Sequence, residues 1–183
     1  MATHINCGSP EPVIPYRHMN KRGFTLLELL VVIAIIGLVG TMAAVAVNAA
    51  RTKQRDATRL SQVRQVQAAL EEYFNQTNLY PAGEGLPLGD TATARCLGTA
   101  GFAGNCSGEK ATYLRTITST IETGLEGLSA CGTPARNAFC YSQTKDGSAY
   151  AIQFELENAY SPVGLAEGLN CALPEGMKSG KCE

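Results

Sequence analysis

Histidine is nearly missing from this chain of 183 residues: its two copies are His4 and His18, and none follows. Downstream of residue 18 there is thus no imidazole for general-base work near neutral pH, and no Ser-His or Cys-His nucleophile pair can be assembled there. Cys-x-x-Cys spacing is missing too, so a zinc-thiolate site is not expected. The remaining carboxylate pairs are Glu71 with Glu72 and Glu155 with Glu157. The first is adjacent on a helix and cannot face one site, and the second fits the solvated face of a strand. Asp90, Asp146 and Glu157 could offer oxygen ligands, but no EF-hand-like spacing links them. The expectation is a protein that is not an enzyme, with no metal and no cofactor.

Charge is absent from Leu29 to Ala50, a run of about 22 mostly apolar residues entered through Lys21-Arg22-Gly23-Phe24-Thr25-Leu26-Leu27-Glu28. At about 1.5 Å per residue the run makes a helix of about 33 Å, enough for a hydrocarbon core of about 30 Å. Glu28 then sits at one edge of the bilayer, where a carboxylate is costly enough to mark function and to want a cationic partner. A secretory signal peptide is a competing reading, with Ala44-Val45-Ala46 as its small-x-small site. Its apolar region would span only about 7 to 15 residues, and an acid would be out of place in it. Proline is missing as well, from Phe24 through Leu79, so the apolar helix is expected to run outward without a break as one helix of about 55 residues, roughly 80 Å, ended by Pro81.

Residue for residue, Gly23-Phe24-Thr25-Leu26-Leu27-Glu28 and the apolar helix behind it resemble the type IV pilins and the pseudopilins of type II secretion systems. A plain membrane anchor would explain the length of the run but not that order of residues. The resemblance covers about Lys21 to Pro81. It implies a leader, residues 1–23, cut after Gly23 on the cytoplasmic face by prepilin peptidase, and N-methylation of the new terminus at Phe24. It also implies that Glu28 neutralises the free amino group of a neighbouring subunit during assembly. Met19 makes the better start, giving the short basic leader Met-Asn-Lys-Arg-Gly, whose Lys21 and Arg22 hold the amino terminus in the cytoplasm. Many type IV pilins carry a helix-breaking proline in the membrane half, and here Val45 and its neighbours have none.

Beyond the membrane helix of residues 24–50, the segment 51–80 repeats apolar side chains every three or four positions: Ala57, Leu60, Val63, Val66, Leu70, Tyr73 and Phe74. This is one helical stripe, expected to pack on the chain's own head. Arg51, Lys53, Arg55, Arg59 and Arg64 form a basic collar suited to lipid headgroups, while the chain after them holds 13 acids against 7 bases. An acidic head argues against nucleic acid as a partner.

Residues 81–183 suffice for one small head. The expected class is α+β: the long helix, a surface loop over Gly83 to Gly108, a short helix from Ala111 to Leu125, and an antiparallel hairpin of Ala138 to Gln143 with Ser148 to Glu157 about Asp146-Gly147. The tail from Ser161 shows no period. Six cysteines remain after the leader with its Cys7, and an even count in a small exported domain reads as disulfides. Pairing Cys96 with Cys106, Cys131 with Cys140 and Cys171 with Cys182 is one of 15 connectivities.

The functional expectation is a filament subunit, in a type IV pilus or a secretion pseudopilus, inserted once in the bacterial cytoplasmic membrane with a cytoplasmic amino terminus. Its partners are copies of itself, other pilins, the peptidase and the membrane. The alternative is a membrane-tethered binding protein, such as a minor pilin or DNA-uptake receptor, that does not itself form the fibre.

Overall fold

Thr25 starts the structure's one long helix. In the computed structural model, which describes residues 23–120, 122–129, 131 and 139–182, its Oγ1 accepts a hydrogen bond from the Glu28 N–H at 3.2 Å, and its carbonyl accepts from Leu29 N–H at 3.2 Å. The helix, α1, runs Leu26–Thr77. It stops before Pro81, because Asn78 adopts a left-handed φ of 59° and its N–H returns to the Phe74 carbonyl at 2.7 Å. Asparagine tolerates that conformation, and the bond satisfies a carbonyl that the helix end would otherwise strand. The expected leader residues 1–22 and Ile121 of the expected short helix lie outside the described residues.

The chain divides into two units, one ending at Ala43 and the other beginning at Ala44. In the first unit every described side chain is exposed, and the large apolar ones lie on all sides of the helix. In the second unit α1 becomes one-sided: Leu60, Val63, Val66, Ala69 and Leu70 are buried, with Tyr73 and Phe74 packed against the same core. Ala57, expected in this stripe, is exposed; Asp56 and Arg59 are buried in that turn instead.

Five antiparallel strands cover the stripe in the order β1-β5-β6-β7-β8: β1 Leu86–Leu88, β5 Phe139–Thr144, β6 Ala149–Leu156, β7 Gly168–Leu173 and β8 Gly176–Ser179. The expected hairpin is β5 with β6, in register Tyr141 to Ile152, turning through Asp146 and Gly147 at φ 56° and 91°. Along β6 the alternate residues Tyr150, Ile152, Phe154 and Leu156 all enter the core with Leu60 and Val63 of α1. The tail read as aperiodic supplies β7 and β8, and β1 and β8 are the sheet's edges.

A second sheet, β3-β2-β4, is built from β2 Cys96–Gly98, β3 Gly101–Ala103 and β4 Thr112–Leu114. Two expectations fail here. Gly83 to Gly108 is not one loop but holds β1, β2 and β3, and no helix forms among the described residues of Ala111 to Leu125. Leu114 pairs with Leu97 across a strand ladder, and Ile117 is drawn into the core by the bond from its N–H to the Arg95 carbonyl at 2.6 Å. The apolar spacing that suggested a helix comes from these unrelated contacts. Thr112, Tyr113, Thr116, Thr118 and Thr120 between them are poor helix formers.

The six head cysteines are joined as Cys96–Cys106, Cys131–Cys140 and Cys171–Cys182, with Cα–Cα distances of 6.1, 5.0 and 5.1 Å. Each bridge closes a loop of nine to eleven residues in sequence separation and ties irregular chain to a strand.

Where α1 meets the end of β6, four charged side chains interlock. Arg59, with no exposed surface, donates to Asp56 Oδ1 at 2.8 Å, to Glu157 Oε1 at 2.7 Å and to the Thr123 carbonyl at 2.7 Å. Arg55 grips both Glu157 oxygens, at 2.7 and 2.6 Å. Asp56 accepts from the backbone of Glu157 and Asn158 and from the Asn158 amide, each at 2.9 Å. A Cβ at Gly124, which holds a φ of 83°, would run into the Glu157 carboxylate. The basic collar is thereby corrected: Arg55 and Arg59 belong to the head's interior framework, and Arg51, Lys53 and Arg64 are the exposed remainder.

Hydrogen bonding from Arg55, opposed by burial and aided by Arg59, holds the Glu157 carboxyl below its ordinary 4.5. A depressed carboxyl stabilises the fold above its ordinary value and loses that contribution as pH falls through the depressed one. The melting temperature of the chain, followed by near-ultraviolet tyrosine dichroism, should therefore drop below about pH 4.5. Glu157→Gln should lower it at neutral pH, by about 3 kcal/mol of stability, and flatten the acid limb. An unchanged acid limb in the variant would remove Glu157 from this role.

Candidate functional site

The expected site residues Gly23, Phe24 and Glu28 lie together at the start of α1. Gly23 and Phe24 precede the helix, both are exposed, and a Cβ built on Gly23 would meet nothing within 4 Å. Among the described residues, no side chain beyond its chain neighbours comes near Gly23. Phe24 is 79% exposed, which is costly for an aromatic ring in water and suits an apolar environment.

Glu28 is the third residue of the helix, and Thr25 caps that helix through the Glu28 N–H. Thr25-x-x-Glu28 is thus a capping-box spacing, a signal legible in the sequence itself. Only half of the box forms. The Glu28 carboxylate is exposed and has no hydrogen bond or ion pair among the described residues. An acid in the first turn is favoured by the helix dipole by about 0.3 to 1 kcal/mol. That gain is small against the cost of holding a carboxylate at a hydrocarbon edge, so a cation supplied from outside the helix still fits the position.

The cysteines have a different place, since all six are taken up by the bridges that brace the head. Asp90, Asp146 and Glu157 do not converge. Asp90 Oδ1 accepts from the backbone of Ala92 and Thr93 and from the Thr93 hydroxyl, which depresses its carboxyl, while Glu157 is held by Arg55 and Arg59. Among the described residues no group of three or more His, Cys, Asp or Glu is placed to hold a metal ion.

Glu155 departs from the solvated strand face expected of it. It is 3% exposed, and its two oxygens accept from the Glu126 and Leu128 backbone at 2.6 and 3.0 Å. Glu155 and Glu157 thus act as braces, one pinning the loop of residues 122–129 to β6 and the other pinning β6 to α1. Nothing in the local sequence marks them, because their partners are distant in the chain.

Residues 18–44 match the prokaryotic N-terminal methylation motif, the prepilin-type signal of type IV pilins and pseudopilins. Leu26–Thr77 is long and apolar enough to cross a membrane. The motif and this helix fit an inner-membrane-anchored, pilin-like substrate of prepilin peptidase. No curated protein and no solved structure matches the chain.

Proposed function

We propose that this protein is a structural subunit of a pilin-type filament, cut after Gly23, N-methylated at Phe24 and assembled through its apolar helix. The observation that carries this reading is the junction itself. An exposed Gly23–Phe24 junction leads within five residues to a carboxylate with no partner among the described residues, and then into a helix that is apolar on every side.

Each part has a physical task. Lys21 and Arg22 keep the leader on the cytoplasmic side. The apolar turns from Leu29 to Ala50 hold the precursor in the bilayer and later pack against their copies in the fibre core. Cleavage creates a cation at Phe24, and Glu28 of an adjacent subunit neutralises it where little water reaches. The head, braced by three disulfides and the Arg59 cluster, stays folded outside the membrane and faces the surroundings.

Mass analysis of the amino terminus should find methylated Phe24, and Gly23→Val should leave an uncut precursor in the membrane. An unmodified terminus at Ala46 or beyond would overturn the processing.

Glu28→Leu should insert and be cut normally yet be depleted from sheared fibres, because an ion pair broken on one side in a dry interior costs about 3 to 5 kcal/mol for each subunit. Leucine also makes residence in the bilayer easier, which opposes extraction. Fractionation into membrane and fibre pools reads the result. A variant that enters fibres as well as the unaltered chain would favour a tethered monomer.

A further inference from the structure

Outward movement of the apolar helix carries across the membrane only the charges that lie between the amino terminus and Ala50. In the chain cut after Gly23 there are two: the terminal ammonium of Phe24, which methylation leaves cationic, and the Glu28 carboxylate. Thr25, Leu26 and Leu27 are neutral, and so is every residue from Leu29 to Ala50. Arg51 and Lys53 are exposed beyond the outer end of the run and stay on the far side throughout. The net charge that crosses is therefore zero. Counted from Met19, the uncut chain instead sets three cations, its terminal ammonium, Lys21 and Arg22, against Glu28, a net charge of +2. The geometry leaves Glu28 available as a countercharge. Its carboxylate is exposed and has no ion pair among the described residues, so no cation elsewhere in the chain already cancels it. The Thr25 cap sets Glu28 in the first turn of α1, and at most about 14 Å of chain separates it from Phe24, about half the thickness of the hydrocarbon core. Ammonium and carboxylate thus enter and leave the membrane field at nearly the same stage.

We propose that cleavage takes the charge crossing with the amino terminus from net positive to zero, and that Glu28 is the countercharge that makes extraction into the fibre indifferent to the membrane potential. A potential negative inside holds back a cation moving outward by a factor of about fifty for each unit charge at 100 mV, the equivalent of about 2.3 kcal/mol. The leader cations therefore latch the precursor in the bilayer, and the mature chain leaves without that electrical load. This rests on the filament reading and adds to it a dependence on voltage, which loss of a pairing between Glu28 and a neighbour would not by itself create.

The test co-expresses the unaltered chain with a smaller amount of Glu28→Gln and steps the membrane potential with valinomycin at graded external potassium, while ATP is monitored. Mass analysis of the cleaved amino-terminal peptides gives the share of the variant in sheared fibres relative to its share in the membrane. Counting only cleaved chain removes failed insertion or processing as an explanation. This enrichment should rise as the potential is dissipated, by up to about fiftyfold over 100 mV. The double variant Leu27→Glu/Glu28→Gln returns the crossing charge to zero from the neighbouring position, so its enrichment should stay constant with potential, whatever its overall level. An enrichment of Glu28→Gln that does not respond to the potential, or its absence from mixed fibres at every potential, would overturn the proposal. So would a voltage response in the double variant, since net charge would then not be the cause. Failure of the unaltered chain to form fibres at any potential would overturn the filament reading, and this proposal with it; fibres that form without the voltage response overturn this proposal alone.

Discussion

A guanidinium with no exposed surface, that of Arg59, is the constraint around which the head is arranged. Arginine cannot shed its proton in a protein, so its burial obliges the fold to deliver acceptors to it. Asp56 comes from the turn before it, Glu157 from just beyond β6, and the Thr123 carbonyl from the loop that follows the second sheet. Three separate stretches of chain are thereby held to one point. Such clusters are weak sources of net stability, since desolvation consumes most of the Coulomb gain. Their effect here is registration: α1 is held at one rotation about its axis, the one that turns Leu60, Val63 and Leu70 toward Ile152 and Phe154.

What could be read from the chain alone divides along the range of the interactions involved. The apolar run, the Thr25 to Glu28 junction, the outer helical stripe and the Asp146-Gly147 hairpin are all local patterns, and each is found where its period or turn chemistry places it. The α+β layout follows from them. The short strands β1 to β4 escaped because three residues are too few to establish an alternation, and β7 and β8 because neither carries a regular alternation of apolar and polar residues. The helix expected over Ala111 to Leu125 failed for the opposite reason: a periodic pattern was present but arose from Leu114 in a strand and Ile117 anchored to Arg95. Long-range polar contacts were the least visible. Arg55 and Arg59 look like lipid-facing charge, and Glu155 and Glu157 like solvated strand positions, until the fold brings residues 27 to 102 apart in sequence into contact.

The candidate site shows the same division. Gly23, Phe24 and Glu28 are adjacent in sequence, so their grouping needed no fold to be seen. Thr25 adds a further local feature, a hydroxyl that fixes where the helix begins. In the proposed assembly this matters because hydrocarbon chains and neighbouring apolar helices are nearly equivalent surroundings for Leu, Ile and Val. The choice between bilayer and fibre is then left to the few polar groups at the helix start. A cap that sets the first turn also sets the height at which the Glu28 carboxylate is presented.

The two edges of the five-stranded sheet, β1 and β8, bear on a hazard that attends any protein packed against thousands of its copies. An open edge is a template for another strand, and runaway pairing of that kind yields amyloid-like aggregates in place of ordered polymers. Here β1 is three residues long with Pro87 at its centre, and β8 carries Lys178 and is followed directly by Gly180 and Lys181. Proline withholds a backbone donor, and lysine makes an approaching strand bring its own compensation. In the proposed filament, subunits can therefore associate through side chains while their backbones remain closed to one another.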